Sequence, residues 1–331
     1  MRAWLMDGYD GVEKLRLGDT PDPQPGPGEV VLRVHFAALN PADAFLSRGM
    51  YPAKPAFPHV LGRDAVGEVV AVGDGVDHPK VGELVGILRC AAGVSTRGAL
   101  ADLVAVSAAS VAPIPKGWSE VEMAAAPLTF LTAWQALTQW SEPAAPPPAG
   151  SVVLITGASG GVGVAAVLLA KSMGLKVVGL SRNAAKSEKL KQLGADVVCS
   201  PEDPEMRTKV MAAIAPKKVD LAVDSVAGPL FAQVVAMLGY GGKISLVGRS
   251  AGPVPDFNTG TLFFRRNRIG GVAVGDYTAA TAQVAWAEIV RRLAQSGARP
   301  VVDGIFAFQD VKKAFARLDE GPMGKVLVRV G

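Results

Sequence analysis

Between residues 152 and 163 the chain reads Val-Val-Leu-Ile-Thr-Gly-Ala-Ser-Gly-Gly-Val-Gly. An apolar run followed at once by clustered glycines suits a strand that turns sharply into a helix. Such a turn lets backbone approach an anionic group closely, and the unpaired N–H groups and dipole of the helix N-terminus favour negative charge. Flanked by a strand, a helix and a second strand at these lengths, the turn is suited to the pyrophosphate of a dinucleotide. Gly157, Gly160, Gly161, Val162 and Gly163 are therefore the candidate cradle. The end of the second strand then selects between dinucleotides. A carboxylate there would hold a free ribose 2′-hydroxyl, but the chain has Ser181-Arg182-Asn183 with Lys186 close behind. A planar guanidinium matches an additional 2′-phosphate, so Ser181, Arg182 and Lys186 predict NADP(H). The competing reading is that Arg182 and Lys186 decorate a solvated loop.

These residues require an alternating scaffold, and the second half of the chain supplies one. Strands are predicted at 151–156, 176–181, 197–199, 221–224 and 243–247, with helices at 162–173 and 184–193 and helical patterns before the last two strands. Alternation of this kind predicts a doubly wound parallel sheet. The first 116 residues instead show short apolar runs at 30–37, 65–72, 84–88 and 100–106, punctuated by Gly, Pro and Asp. That texture predicts a compact barrel or sandwich. Ser119-Glu120-Val121-Glu122 reads as a capped helix start, continued by an Ala- and Leu-rich segment from 124 to 140. A proline-rich linker follows at 143–148. Residues 279–295 read as one amphipathic helix and 325–330 as a final strand.

The chain has 331 residues, 49% of them hydrophobic and 19% charged, with a net charge of +4. The length predicts about two domains and a core that needs no staple. The charge is too mild for a nucleic-acid-binding face. Cys90 and Cys199 are the only cysteines, too few for a disulfide framework, which favours a reducing compartment. The first 17 residues carry Asp7, Asp10 and Glu13 and no signal-type apolar core. Residues 143–170 lack charge, but their prolines and glycines break any spanning helix. A cytoplasmic protein without membrane attachment is expected.

The glycine run also fits the Thr-Gly-x-x-x-Gly-x-Gly pattern of short-chain dehydrogenases. That family requires a downstream Tyr-x-x-x-Lys, which neither Tyr240 nor Tyr277 provides. A different set of strings is more specific: Asn40-Pro41-Ala42-Asp43, Arg48-Gly49-Met50-Tyr51, Gly62-Arg63-Asp64-Ala65-Val66-Gly67-Glu68-Val69 and Val72-Gly73. Further matches are Leu131-Thr132-Ala133, Leu193-Gly194-Ala195-Asp196, Asp224-Ser225-Val226, Gly241-Gly242-Lys243 and Gly324-Lys325-Val326. With them the chain resembles the medium-chain dehydrogenase/reductase superfamily, in its zinc-independent NADPH:quinone reductase (zeta-crystallin-like) branch.

The resemblance implies an α/β protein. A GroES-like β-barrel catalytic domain would comprise residues 1–120 and 262–331, with an inserted Rossmann domain at 121–261 and the active site in the cleft between. It also implies a homodimer. Tyr51 and Asn40 would be the catalytic hydrogen-bond donors. Asn40, Thr132, Ser225, Val247, Gly248, Val272 and Lys325 would join the glycine turn and Ser181, Arg182 and Lys186 in binding NADP(H). Zinc-dependent relatives place ligands at the positions of Asn40 and Arg63 and near Leu128. None is a zinc ligand here, so no metal is expected, and His35, His59 and His78 are read as structural. Without a Lewis acid the expected acceptors are conjugated carbonyls, quinones or 2-alkenals, in which conjugation spreads the incoming charge. The alternatives are a 2-enoyl-thioester reductase, for which Tyr51 also matches a proton donor, and a non-catalytic, crystallin-like NADPH-binding protein. Leu168 and Pro201 depart from the family pattern, the latter at an adenine contact. Arg265, Arg266 and Arg268 are read as a solvated edge rather than a coenzyme-A phosphate site.

Overall fold

The computed structural model describes residues 1–254 and 257–331. They form two compact units. The first comprises Met1–Leu128, Gly275–Ala287 and Pro300–Gly331; the second comprises Thr129–Val274 and Glu288–Arg299.

The first unit opens with β1 (Arg2–Met6), β2 (Arg16–Asp19), β3 (Glu29–Ala38), α1 (Pro41–Ser47), β4 (His59–Val60), β5 (Asp64–Val72), β6 (Leu84–Ile87), β7 (Leu103–Ser107) and β8 (Val111–Pro113). Next come α2 (Glu120–Ala125) and α3 (Pro127–Thr138). The capped start is present: Ser119 Oγ accepts from the Glu122 amide, and Glu122 Oε2 accepts from the Ser119 amide at 2.7 Å. The Ala-rich segment after it is two helices, not one, because Pro127 cannot continue the α2 hydrogen-bond ladder.

The second unit holds β9 (Val152–Ile155), α4 (Gly161–Ser172), β10 (Lys176–Leu180), α5 (Ala184–Gln192) and β11 (Val197–Cys199). It continues with α6 (Met206–Ile214), β12 (Val219–Asp224), α7 (Leu230–Met237), β13 (Leu238–Leu246), α8 (Gly260–Arg265) and β14 (Arg268–Gly271). Among the described residues its sheet has six strands, in the order β11-β10-β9-β12-β13-β14, all parallel. β9 is Val-Val-Leu-Ile, buried throughout, as a central strand covered on both faces must be. The order reverses between β9 and β12, and ligands of such sheets bind at the carboxyl ends of the strands beside that switch.

The chain then runs through α9 (Ala279–Ser296), β15 (Val302–Ala307), α10 (Val311–Asp319) and β16 (Lys325–Arg329). β16 pairs antiparallel with the end of β3, joining the C-terminal segment to the sheet β15-β16-β3-β5-β6-β8, while β7 pairs with the start of β3 on the same edge, opposite β5. A smaller sheet, β2-β1-β4, shares the same core: Trp4, Leu5 and Met6 pack with Leu32, Val69, Phe315 and Val328.

The division between units lies at 128/129 and 274/275, where 120/121 and 261/262 were expected. α2 packs on β3 and β5 of the first unit, which carries that unit past residue 120. β14 pairs with β13 through Ile244 and Ile269 and so extends the parallel sheet beyond residue 261. α9 is shared, its first half grouping with the first unit and its second half with the second. No helix among the described residues is long and apolar enough to cross a membrane.

Candidate active site

In the second unit the turn between β9 and α4 is built as its glycines require. Gly157 has φ +57°, and a Cβ there would lie 2.8 Å from Ser225 Oγ. At Gly163 a Cβ would lie 2.3 Å from the Gly157 carbonyl oxygen, so only glycine lets α4 sit this close to the turn. Gly160 is the N-cap of α4, no side chain caps the helix, and its first turn carries no acid. The N–H groups of Gly161, Val162 and Gly163 are thus at the uncapped start of a twelve-residue helix beside the sheet's switch point.

Hydrogen bonds tie the neighbouring strand ends to this turn. Thr156 Oγ1 donates to Asp224 Oδ1 at 2.6 Å, and Ser225 Oγ donates to the Thr156 carbonyl at 3.1 Å. Asp224 Oδ1 also accepts from the amides of Val226 and Ala227, both at 3.0 Å. The Val247 amide donates to the Asp224 carbonyl, and the Val272 amide to the Leu246 carbonyl. The residues expected from the strand ends, Ser225, Val247, Gly248 and Val272, therefore lie on the same carboxyl edge as the glycine turn. At the end of β10 Ser181 is buried and Arg182 exposed, while Lys186 lies in the first turn of α5. Among the described residues nothing accepts a hydrogen bond from Arg182, and no acid lies in the segment Ser181–Ser187. Thr132 is buried on α3. Leu168 is a core residue of α4, and Pro201 sits in the turn after β11.

In the first unit the loop ahead of α1 and the start of β5 form a buried polar cluster. Lys325 Nζ donates to the Leu39 carbonyl (2.9 Å), Asn40 Oδ1 (2.7 Å) and Asp64 Oδ2 (3.0 Å). Asn40 Nδ2 donates to Asp64 Oδ2 at 2.9 Å, and the Leu128 amide donates to Asp64 Oδ1 at 3.1 Å. Asp43 Oδ2 accepts from the Asn40 amide at 2.8 Å. The amide of Asn40 and the ammonium of Lys325 are thus committed to partners inside the unit.

Tyr51 stands apart from that cluster, half-buried against the core. Its hydroxyl accepts from Arg63 Nη1 at 3.2 Å, and the guanidinium carbon lies 5.8 Å from its ring centroid. Sequence reasoning left Arg63 without a role, although Arg63-Asp64 is a charged pair set in the apolar stretch around it, which is the signal that marks it. Burial, opposed by the charge of Arg63, pushes Asp43 up to about 6, and burial pushes His59 down to about 4.

The positions where zinc-dependent relatives place metal ligands carry a carboxamide already spent on Asp64 and Lys325, a guanidinium and an aliphatic side chain. A guanidinium has no lone pair to give, and zinc needs at least three N, S or O donors. The residues do not fit zinc. Among the described residues no three His, Cys, Asp or Glu side chains form a ligand group elsewhere. Two of the three arginines at 265–268 are engaged by the unit's own groups. Arg265 donates to the carbonyls of Ala236 and Leu238, and Arg268 lies over the Trp140 ring.

Residues 26–116 match the family model of the alcohol dehydrogenase GroES-like domain, and residues 161–295 that of the zinc-binding dehydrogenases. Over 323 residues the chain is 28% identical to the quinone oxidoreductase of Sus scrofa, covering 97% of this chain and 95% of that one. The crystal structure of an NAD-dependent alcohol dehydrogenase superposes with a TM-score of 0.91 at 32% identity over 100% of both chains. The native structure of mycobacterial Rv1454c complexed with NADPH gives 0.89 at 26% identity, also over 100% of both.

Proposed function

The chain belongs to the medium-chain dehydrogenase/reductase superfamily, a family of oxidoreductases, and from that premise we propose that it reduces conjugated carbonyl compounds, quinones or 2-alkenals, with NADPH and without zinc. The substrate class rests on one observation, the donor set at the positions of Asn40, Arg63 and Leu128. Reduction of an isolated carbonyl calls for a Lewis acid at the developing oxyanion; with none to be held there, the acceptor must spread the charge itself and hydrogen-bond donors complete the task.

When bound, the nicotinamide supplies hydride. The uncapped start of α4 holds the pyrophosphate, and Arg182, with Ser181 and Lys186, takes the 2′-phosphate. The Tyr51 hydroxyl donates a hydrogen bond to the acceptor oxygen. Asn40 and Lys325 act as positioning residues, because their polar atoms are occupied by Asp64 and by each other. We further propose that the protein is a homodimer.

A panel of acceptors tests the reading. NADPH oxidation is expected with quinones or 2-alkenals and not with simple ketones, and it should be unchanged after chelation. Turnover only with enoyl-coenzyme A would select the thioester reductase instead. NADPH binding without turnover of any acceptor would leave a binding protein. Because one relative is named NAD-dependent, both cofactors belong in the panel.

A further inference from the structure

We propose that Arg63 and Tyr51 together form a two-donor site for the acceptor's carbonyl oxygen, with the Arg63 guanidinium supplying the positive charge that this oxygen meets as it becomes anionic. The assignment rests on the function proposed above and adds the group that carries the charge in it.

Three features of Arg63 point this way. Its only hydrogen-bond acceptor among the described residues is the Tyr51 hydroxyl. Its Nε is buried without a partner. No carboxylate of the described residues lies within ion-pair distance of it, whereas the nearby Lys325 is paired with Asp64 at 3.0 Å. A half-buried guanidinium whose one hydrogen-bond partner is neutral, and which acts on the buried Asp43 carboxyl only through space, is an uncommon arrangement, because burying charge without a directly paired counter-charge is costly. That cost is repaid where an anion forms beside it. Since Arg63 donates to the Tyr51 oxygen, the Tyr51 hydroxyl hydrogen is directed away from Arg63 and remains available. One acceptor oxygen can then take that O–H and a guanidinium N–H at once.

The chemistry balances without a further reagent. With an enone, the hydride forms a new C–H bond at the β-carbon while NADPH is oxidised to NADP⁺. The alkene π pair moves to the α-carbon–carbonyl bond, leaving an enolate oxygen between Arg63 and Tyr51. A proton delivered to the α-carbon, ultimately from solvent, completes the saturated ketone. A quinone gains less from the site, because aromatisation of its ring already stabilises the anion.

The test separates the oxyanion site from turnover. 4-Nitrophenolate, an aromatic oxyanion whose absorbance reports hydrogen bonding, is titrated into the full-length protein saturated with NADP⁺. Arg63→Met should weaken its binding roughly 10- to 150-fold, the range for losing a charged hydrogen bond. Arg63→Lys should fall between the two, and the affinity of both variants for NADP⁺ should match wild type. In kinetics, Arg63→Met should lower kcat more with 2-alkenals than with quinones. Unchanged phenolate affinity in Arg63→Met overturns the proposal, as does a wild type that does not bind the phenolate. A variant that loses NADP⁺ binding in step with the phenolate makes Arg63 a structural cation and also overturns it. If no conjugated carbonyl is turned over, the proposed function fails while the phenolate titration still decides on Arg63.

Discussion

Arg182 leaves its strand exposed and without an acceptor among the described residues, and the consequence for cofactor choice is measurable. Losing one charged hydrogen bond to the 2′-phosphate should weaken NADPH roughly 10- to 150-fold in Arg182→Ala. NADH affinity should scarcely change, and kcat at saturating NADPH should stay near wild type. Equal losses for both cofactors would make Arg182 a bystander, the alternative its sequence context left open. Asp43 yields a second prediction, in stability. Its carboxyl is raised from 3.8 to about 6 by burial, so the folded chain binds more protons than the unfolded one between those values. Its contribution is therefore full below about pH 4 and is lost as pH rises through 6, at most about 3 kcal/mol. His59, lowered from 6.5 to about 4, acts oppositely: its contribution is present above 6.5 and lost as pH falls through 4. The two overlap in wild type, but the difference from Asp43→Asn cancels His59. The carboxamide keeps an acceptor for the Asn40 amide and cannot ionise. Its melting temperature should gain on wild type more at pH 7.5 than at pH 4.5, and parallel pH profiles would show that Asp43 is not ionised at a cost. Nothing in the sequence foretold this, because Asp43 looks like an ordinary helix-capping acid until its burial is known.

At the scale of elements, β9, the glycine turn and α4 were legible because each local signal agreed: an apolar run, then glycines, then an apolar helix. β1, β2 and β15 were not, since β1 finds its partners at residues 16–19 and 59–60 and β15, among the described residues, pairs only with β16. Such pairings are decided by tertiary contacts rather than by periodicity. The division of the Ala-rich segment at Pro127 was missed for a different reason, a breaker overlooked inside a favourable composition. The glycine turn allows a comparison between two positions. Gly163→Ala places a methyl 2.3 Å from the Gly157 carbonyl oxygen and 2.7 Å from Ala158 backbone, so α4 must move off the turn. Overpacking of this kind costs about 1–3 kcal/mol, and the displaced N–H groups should weaken NADPH at least tenfold. At Gly160 the same methyl meets nothing nearer than 3.4 Å, so Gly160→Ala should melt close to wild type. If both variants melt alike, the close approach of helix and turn does not govern the site.

At the scale of the whole molecule, the resemblance conveyed the two-unit plan, and the residues explain why its boundaries moved. A sheet ends where its last strand pairs, and the pairing of β14 with β13 was not visible in the short run Arg268–Gly271. That same strand bears on the oligomer we propose. β14 is the last strand on its side of the sheet, so its outer edge has no strand partner among the described residues. Beside it α8 leaves Phe263 and Phe264 76% and 79% exposed, their rings 4.9 Å apart. An open strand edge next to paired exposed aromatics is a hazard in a monomer and a ready surface for a second copy. In a dimer closed through this edge both phenylalanines would be central, where truncation costs about 2 kcal/mol or more per residue. Since both protomers carry it, a Phe263→Ser/Phe264→Ser double variant removes four such side chains and should then raise the dimer dissociation constant roughly 10⁵-fold or more. Size-exclusion chromatography with light scattering at micromolar protein should show a wild-type dimer and a monomeric variant. NADPH affinity should survive, because the glycine turn and Arg182 belong to the carboxyl ends of the central strands rather than to this edge. A monomeric wild type would remove the dimer altogether, and a variant that stays dimeric would move its interface elsewhere.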